Sequence, residues 1–233
     1  MKRRYHAATP GLFGKGRETA STGQAVAKPL KRPAQQRAKS TVQAIYDAFV
    51  RIMRRQGWKA VTTRGVAAEA GVAVGTLYDY FPNKLAILSG YERHAVHRLL
   101  ERIEHEVIAD PHIGWRGRLR LLVRLTADPV PADMPYFDRQ MLMLESSFAE
   151  AKHHRRVYEE LLKAWHKAVA ACRDLPVRPA DHEVEAAFTA ALGARRYVVL
   201  AGPRHFDRRR WLEDIEGMCV GLIARGSATN EDP

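Results

Sequence analysis

Between Thr62 and Lys84 the chain reads TTRGVAAEAGVAVGTLYDYFPNK, a stretch rich in hydroxyl, guanidinium, phenol and ammonium groups. Thr62, Thr63, Arg64, Thr76, Tyr78, Tyr80 and Lys84 supply them. Such groups hydrogen-bond to phosphate oxygens and to base edges, the two kinds of contact that fix a protein on a duplex. Covalent chemistry has no comparable support. The chain contains no G-x-S-x-G elbow, phosphate loop, dinucleotide glycine pattern or H-E-x-x-H motif, so no catalytic residue, metal or cofactor is expected.

The elements that would position these groups follow from local spacing. Thr62 and Thr63 suit a helix N-cap, because a hydroxyl accepts from the free amides of a first turn. Val66, Ala67 and Ala70 then share one helical face as far as Gly71, which tolerates the left-handed conformation that stops a helix. A second helix starts near Ala73 or Val74, carries Leu77 and Phe81 inward at i, i+4, and stops at Pro82. Asn83 caps a third, longer helix. A helix, a glycine turn and a short second helix form a helix-turn-helix, whose second helix enters the major groove.

The segment AGVAVGTLYDYFPNK within that stretch resembles the DNA-binding signature of the TetR family of transcriptional regulators, and the likeness extends over roughly residues 36–88. The chain departs from the family pattern in having Ala73 where a serine is usual and Leu85 where an acidic residue often follows the lysine. The resemblance implies base contacts from Val74, Thr76 and Tyr78, a close backbone approach at Gly75, and phosphate contacts from Thr63, Arg64, Tyr80 and Lys84, with Thr62 also in the DNA-binding set. It also implies a homodimer on palindromic half-sites of double-stranded DNA. A repressor released by a small, largely apolar effector is the expected function, with an activator or a ligand-independent DNA-binding protein of the same fold as the alternative.

Composition agrees with a polyanionic partner: 38 basic against 26 acidic residues in 233 give a net charge of +12. A packaging or membrane-surface protein working by charge alone would also be basic, but would lack sequence preference. No apolar run approaches a bilayer span and no signal peptide is apparent, so a cytoplasmic protein without membrane contact is expected. Cys172 and Cys219 fall inside helical patterns and read as reduced, buried thiols. Residues 1–38 read as a basic, disordered tail, equally open to a passive role or to contact with the phosphate backbone. His94, His97 and Glu101 share spacing but lack the further ligands of a metal site.

The rest is helical, and the fold class is all-α with about nine helices. Residues 39–88 form the helix-turn-helix domain, 89–226 a helical ligand-binding and dimerisation domain, and 227–233 a frayed tail. Helices are expected over about 40–56, 83–108, 115–126, 136–150, 153–172, 182–201 and 206–224 outside the two short ones. By resemblance the later helices hold a pocket, for which Met141, Phe148, Trp165 and Phe188 are the candidate lining, with Met143, Tyr158 and Tyr197 also considered. Gln140, Glu145, His166 and Arg195 are candidate ligand-orienting groups. The dimer seam is expected at Phe188, Ala191, Trp211, Ile215, Met218 and Leu222, whose spacing suits a four-helix contact between two copies.

Overall fold

The computed structural model describes residues 36–131 and 134–225. The expected frayed segment 227–233 and nearly all of the expected tail lie outside the described residues. Helix α1, Gln36–Gln56, begins inside the stretch expected to be tail. Gln36, Arg37, Ala38 and Lys39 are good helix formers with no breaker among them, and the Ser40 and Thr41 hydroxyls bond back to Gln36 O and Arg37 O at 3.1 Å.

Three further helices complete the first unit: α2 (Thr63–Ala70), α3 (Val74–Tyr80) and α4 (Lys84–Arg102). Ile45, Phe49, Val66, Ala67, Leu77, Phe81, Ile87 and Leu88 close its core and are fully or almost fully buried. Each large apolar side chain so buried contributes about 1.5–3 kcal/mol. Arg51 and Arg55 of α1 both bond Glu69 Oε1, at 2.6 and 2.7 Å, and tie α1 to α2 across the outside.

Beyond Arg102 the connecting helix widens into a π-helical stretch, Ile103–Ile108, closed by Ala109 N donating to Glu104 O at 2.9 Å. Its free carbonyls are taken by one buried guanidinium. Arg118 donates to Val107 O and Ile108 O through Nη1, and to Asp110 O and Ile113 O through Nη2. The turn is thereby satisfied from the next helix, α5 (Trp115–Ala127).

The second unit packs α5 against α7 (Ala151–Ala170), α8 (Asp181–Ala201) and α9 (Arg208–Arg225). Trp165 lies at its centre, edge-on to Phe188 at 5.8 Å, and its Nε1 donates to Thr126 Oγ1 at 3.0 Å. Glu216, only 4% exposed, is neutralised by Arg124. Cys172 and Cys219 are free and buried, and burial pushes both thiols up to about 11.

Helix α6 (Arg139–Leu144) is much shorter than the expected helix over 136–150. Asp138 caps it, accepting from Met141 N at 3.0 Å, so Tyr136 and Phe137 stay outside the helix. A single turn, Glu145–Ser147, follows before the chain turns into α7. The described residues thus comprise nine α-helices with no strand, as the sequence led us to expect. No helix among them is long and apolar enough to cross a membrane.

Candidate nucleic-acid interface

The joint of the helix-turn-helix is built by Gly71, whose φ of 67° lets Val72 N reach Ala67 O at 3.0 Å and Gly71 N reach Ala68 O at 3.2 Å. This paired closure satisfies the last carbonyls of α2 and aims α3 outward. Thr62 Oγ1 caps α2 by accepting from Gly65 N at 3.0 Å. At the start of α3, Ala73 has no hydroxyl to play that part, so the side-chain cap is absent. Asn83 Oδ1 accepts from Ala86 N at 2.9 Å and starts α4.

Leu77 and Phe81 anchor α3 in the core, while its other face is open. Val74 is 37% and Tyr78 44% exposed, and a Cβ at Gly75 would meet nothing within 4 Å. Thr63 Oγ1 and Tyr78 Oη lie 3.0 Å apart, which fixes the tyrosine between the two short helices. Arg64 is exposed beside them. Tyr80 packs partly against the core near Phe81. Lys84 Nζ sits 4.4 Å above the Trp58 ring and donates to Trp58 O at 3.3 Å, so it is held in place and retains two further donor protons. The exposed face therefore combines apolar, hydroxyl and cationic groups on one short, well-anchored helix and its flanks.

A cavity of about 420 Å³ opens between α4, the 134–148 segment, α7 and α8. Leu99, Leu125, Leu142, Val157, Leu161 and Leu192 make up much of its apolar wall. At one side Glu145 bonds Arg196 Nη1 at 2.6 Å and His154 Nδ1 at 3.3 Å. Glu92 lies close to this group, and burial first and then the Glu145 charge push its carboxyl up to about 8. Glu92 Oε1 is buried without a hydrogen-bond partner. Arg195 also lines the cavity and donates to Asp128 O at 3.0 Å; burial pulls its guanidinium below the ordinary value.

Residues 45–90 match the model of the bacterial regulatory proteins of the tetR family. That stretch contains the helix-turn-helix described above, and it is similar to the DNA-binding part of the TetR family. Over 60 residues the chain is 47% identical to the HTH-type transcriptional repressor KstR of Mycolicibacterium smegmatis, a stretch covering 26% of this chain and 28% of that repressor. The match thus spans under a third of the relative's length. Two solved structures extend the likeness in fold. A transcriptional regulator from Rhodococcus sp. Rha1 superposes with a TM-score of 0.57 at 15% identity, over 79% of this chain and 96% of that one. The regulator FadR from Bacillus subtilis, solved in complex with stearoyl-CoA, gives 0.55 at 18% identity over 78% and 98%.

Within this TetR-type frame the sequence-derived interface residues Thr62, Thr63, Arg64, Val74, Gly75, Thr76, Tyr78, Tyr80 and Lys84 all fall on α2, α3 or their flanks. The pocket residues are less well placed. Phe148 lines the cavity, as do Tyr158, Glu145 and Arg195. Met141 is instead fully buried in the core of the DNA-binding unit, and Trp165 and Phe188 are fully buried in the second core. Met143 and Tyr197 are 61% and 74% exposed. His166 lies 3.6 Å from Asp181. His94 stacks on Tyr46 at 5.4 Å while His97 pairs with Glu101 at 3.2 Å, so the three residues considered for a metal part company.

Two expected seam residues also need correcting. Phe188 and Ala191 have no exposed surface and face their own core, where a second copy cannot reach them. Trp211, Ile215 and Leu222 are half-buried against that core, whereas Met218 is 51% exposed. Glu92, the most informative cavity residue, was overlooked in the sequence. Its signal is a carboxyl placed on the stripe of Leu88, Ala95 and Leu99, where the helical period calls for an apolar side chain.

Proposed function

We propose that the chain is a sequence-specific, DNA-binding transcriptional regulator, a repressor whose hold on its operator is released by a small, largely apolar effector. The observation that carries the reading is the pairing of an open, anchored α3 face with an apolar cavity reached through the same α4. The name of the KstR repressor and the stearoyl-CoA complex of FadR support repression and effector binding in this fold. The effector need only bind better to the form whose two α3 helices fail to match successive major grooves, and the population then shifts off DNA. A protein of this kind works as a homodimer in the cytoplasm, because each protomer brings one reading helix and a useful affinity needs two half-sites. The exposed face of α8 and α9, with Tyr197, Met218, Gly217 and Gly221, is the surface best suited to the second copy.

Selection of duplexes from a random pool tests the reading. An inverted repeat with half-sites about one helical turn apart is expected. Equal affinity for all duplexes would leave a charge-driven packaging protein in its place.

A further inference from the structure

Among the described residues of the cavity wall, Glu92 Oε1 is a buried polar atom that no neighbour completes. Glu145 is matched by Arg196 and His154, and the Arg195 Nε proton is taken by Asp128 O. Glu92 Oε1 is buried and has no partner, although its helix neighbours Ala95, Val96 and Leu99 are apolar and line the same space. A buried carboxyl left in this state lacks a hydrogen bond that a bound molecule can supply.

We propose that the cavity takes an uncharged, mainly apolar molecule presenting one hydrogen-bond acceptor, such as a ketone oxygen, to the Glu92 carboxyl. The proposal rests on reading the cavity as the effector site. Charge decides against the alternatives. Arg93, Arg195 and Arg196 line the same cavity as Glu92 and Glu145, so an incoming ammonium group would meet more fixed cations than fixed anions. A carboxylate would have to shed its water beside Glu145, while Arg196 is held by Glu145, Arg195 by Asp128 O and Arg93 by Ser89 O. A neutral acceptor avoids both costs. The Glu92 carboxyl remains protonated near neutrality because it is buried and faces Glu145, and in that form it donates one hydrogen bond. The volume of about 420 Å³ lies within the usual range for small-ligand pockets.

Calorimetric titration of the full chain with octyl methyl ketone, decylamine and decanoate tests the assignment. The ketone is expected to bind at least about tenfold more tightly than either charged probe. Glu92→Gln keeps a donor at that position and should bind the ketone within about threefold of the wild type, whereas Glu92→Leu should lose about tenfold. Failure of the ketone to bind, tighter binding of decylamine, or unchanged ketone affinity in Glu92→Leu would each overturn the proposal. Duplex selection with the same preparation, free of probe, reads the regulator assignment separately: sequence-specific binding that persists when the ketone result is negative removes only the ligand class.

Discussion

Gln140 Oε1 accepts a hydrogen bond from Trp58 N at 3.1 Å, joining helix α6 to the turn that follows α1 across 82 residues of chain. The contact is one of several made by the same short segment. Met141 is buried in the core of the DNA-binding unit, Tyr136 O accepts from Tyr91 Oη at 2.5 Å, and Arg54 lies 5.1 Å from the Tyr136 ring. On its other side the segment gives Phe137, Leu142 and Phe148 to the cavity wall. One element is thus shared by the wall of the cavity and the core around α1 to α4, and a displacement on one side must be felt on the other because packed cores deform little.

Gln140→Ala removes this link without opening either core. Operator affinity should stay within about threefold, while the effector-induced loss of binding should shrink by about 1 kcal/mol, the worth of a neutral hydrogen bond. Operator titrations with and without effector provide the measurement. An unchanged ratio would assign the coupling to α4 instead.

The open face of α3 leads to a second expectation. Arg64→Ala and Lys84→Ala should weaken binding to every duplex and reduce the salt slope by about one unit each. Thr76→Ala and Val74→Ala should change which bases are preferred, since both sit at the start of the exposed helix. Titration against operator and scrambled duplex at several salt concentrations separates the two behaviours.

The missing cap on α3 is a local weakness with a direct remedy. Ala73 has extended backbone, φ −62° and ψ 142°, and makes no side-chain bond to the first turn. Ala73→Ser should therefore stabilise the fold by about 0.5–1 kcal/mol. Denaturant midpoints measure this gain, and an unchanged midpoint would mean that the first-turn amides are already satisfied.

The sequence displayed the DNA-binding unit more fully than the cavity. The Thr62 and Asn83 caps, the Gly71 turn and the Leu77–Phe81 anchor depend on neighbours within a few residues and are present in the structure, whereas Thr63 lies inside α2 and its hydroxyl pairs with Tyr78 instead of capping. Met141, Trp165 and Phe188 misled because a helical stripe records which side is buried but not against what. Met141 turned out to serve the core formed by α1 to α4, and the other two serve the core around α5. The boundary of α6 was equally illegible, since it is set by the Asp138 cap and by Tyr136 reaching Tyr91, a contact 45 residues away.

The outer face of α8 and α9 suggests where two copies meet. Met218 is 51% and Tyr197 74% exposed, and a Cβ at Gly193, Gly217 or Gly221 would meet nothing within 4 Å. Met218→Glu adds a charge to that face without touching the protomer's own core. It should turn a dimer into a monomer at micromolar concentration and lower operator affinity, while Ile215→Glu should also lower the melting temperature because Ile215 is packed inward. Light scattering and thermal melts together distinguish the two variants, and a dimeric Met218→Glu protein would move the contact elsewhere.

Glu92 gives the fold a dependence on pH that can be measured without any effector. Its carboxyl ionises near 4.5 when unfolded but is pushed up to about 8 in the folded protein by burial and by the Glu145 charge. Arg196 opposes the rise, and His154 of α7 acts on the same cluster through Glu145. Between these two values the folded chain binds the proton that the unfolded chain has released. Stability from this group is therefore lost as pH rises from about 4.5 to about 8 and stays low above that. Glu92→Gln removes the ionisation in both states. The variant should match the wild type near pH 4 and exceed it at pH 7 by at most about 3 kcal/mol, with the difference levelling off above pH 8. Paired denaturation curves across that range are the measurement. A stability difference that does not change with pH would show that Glu92 titrates at the ordinary carboxylate value, and that the Glu145 side of the cavity is wetter than its geometry indicates.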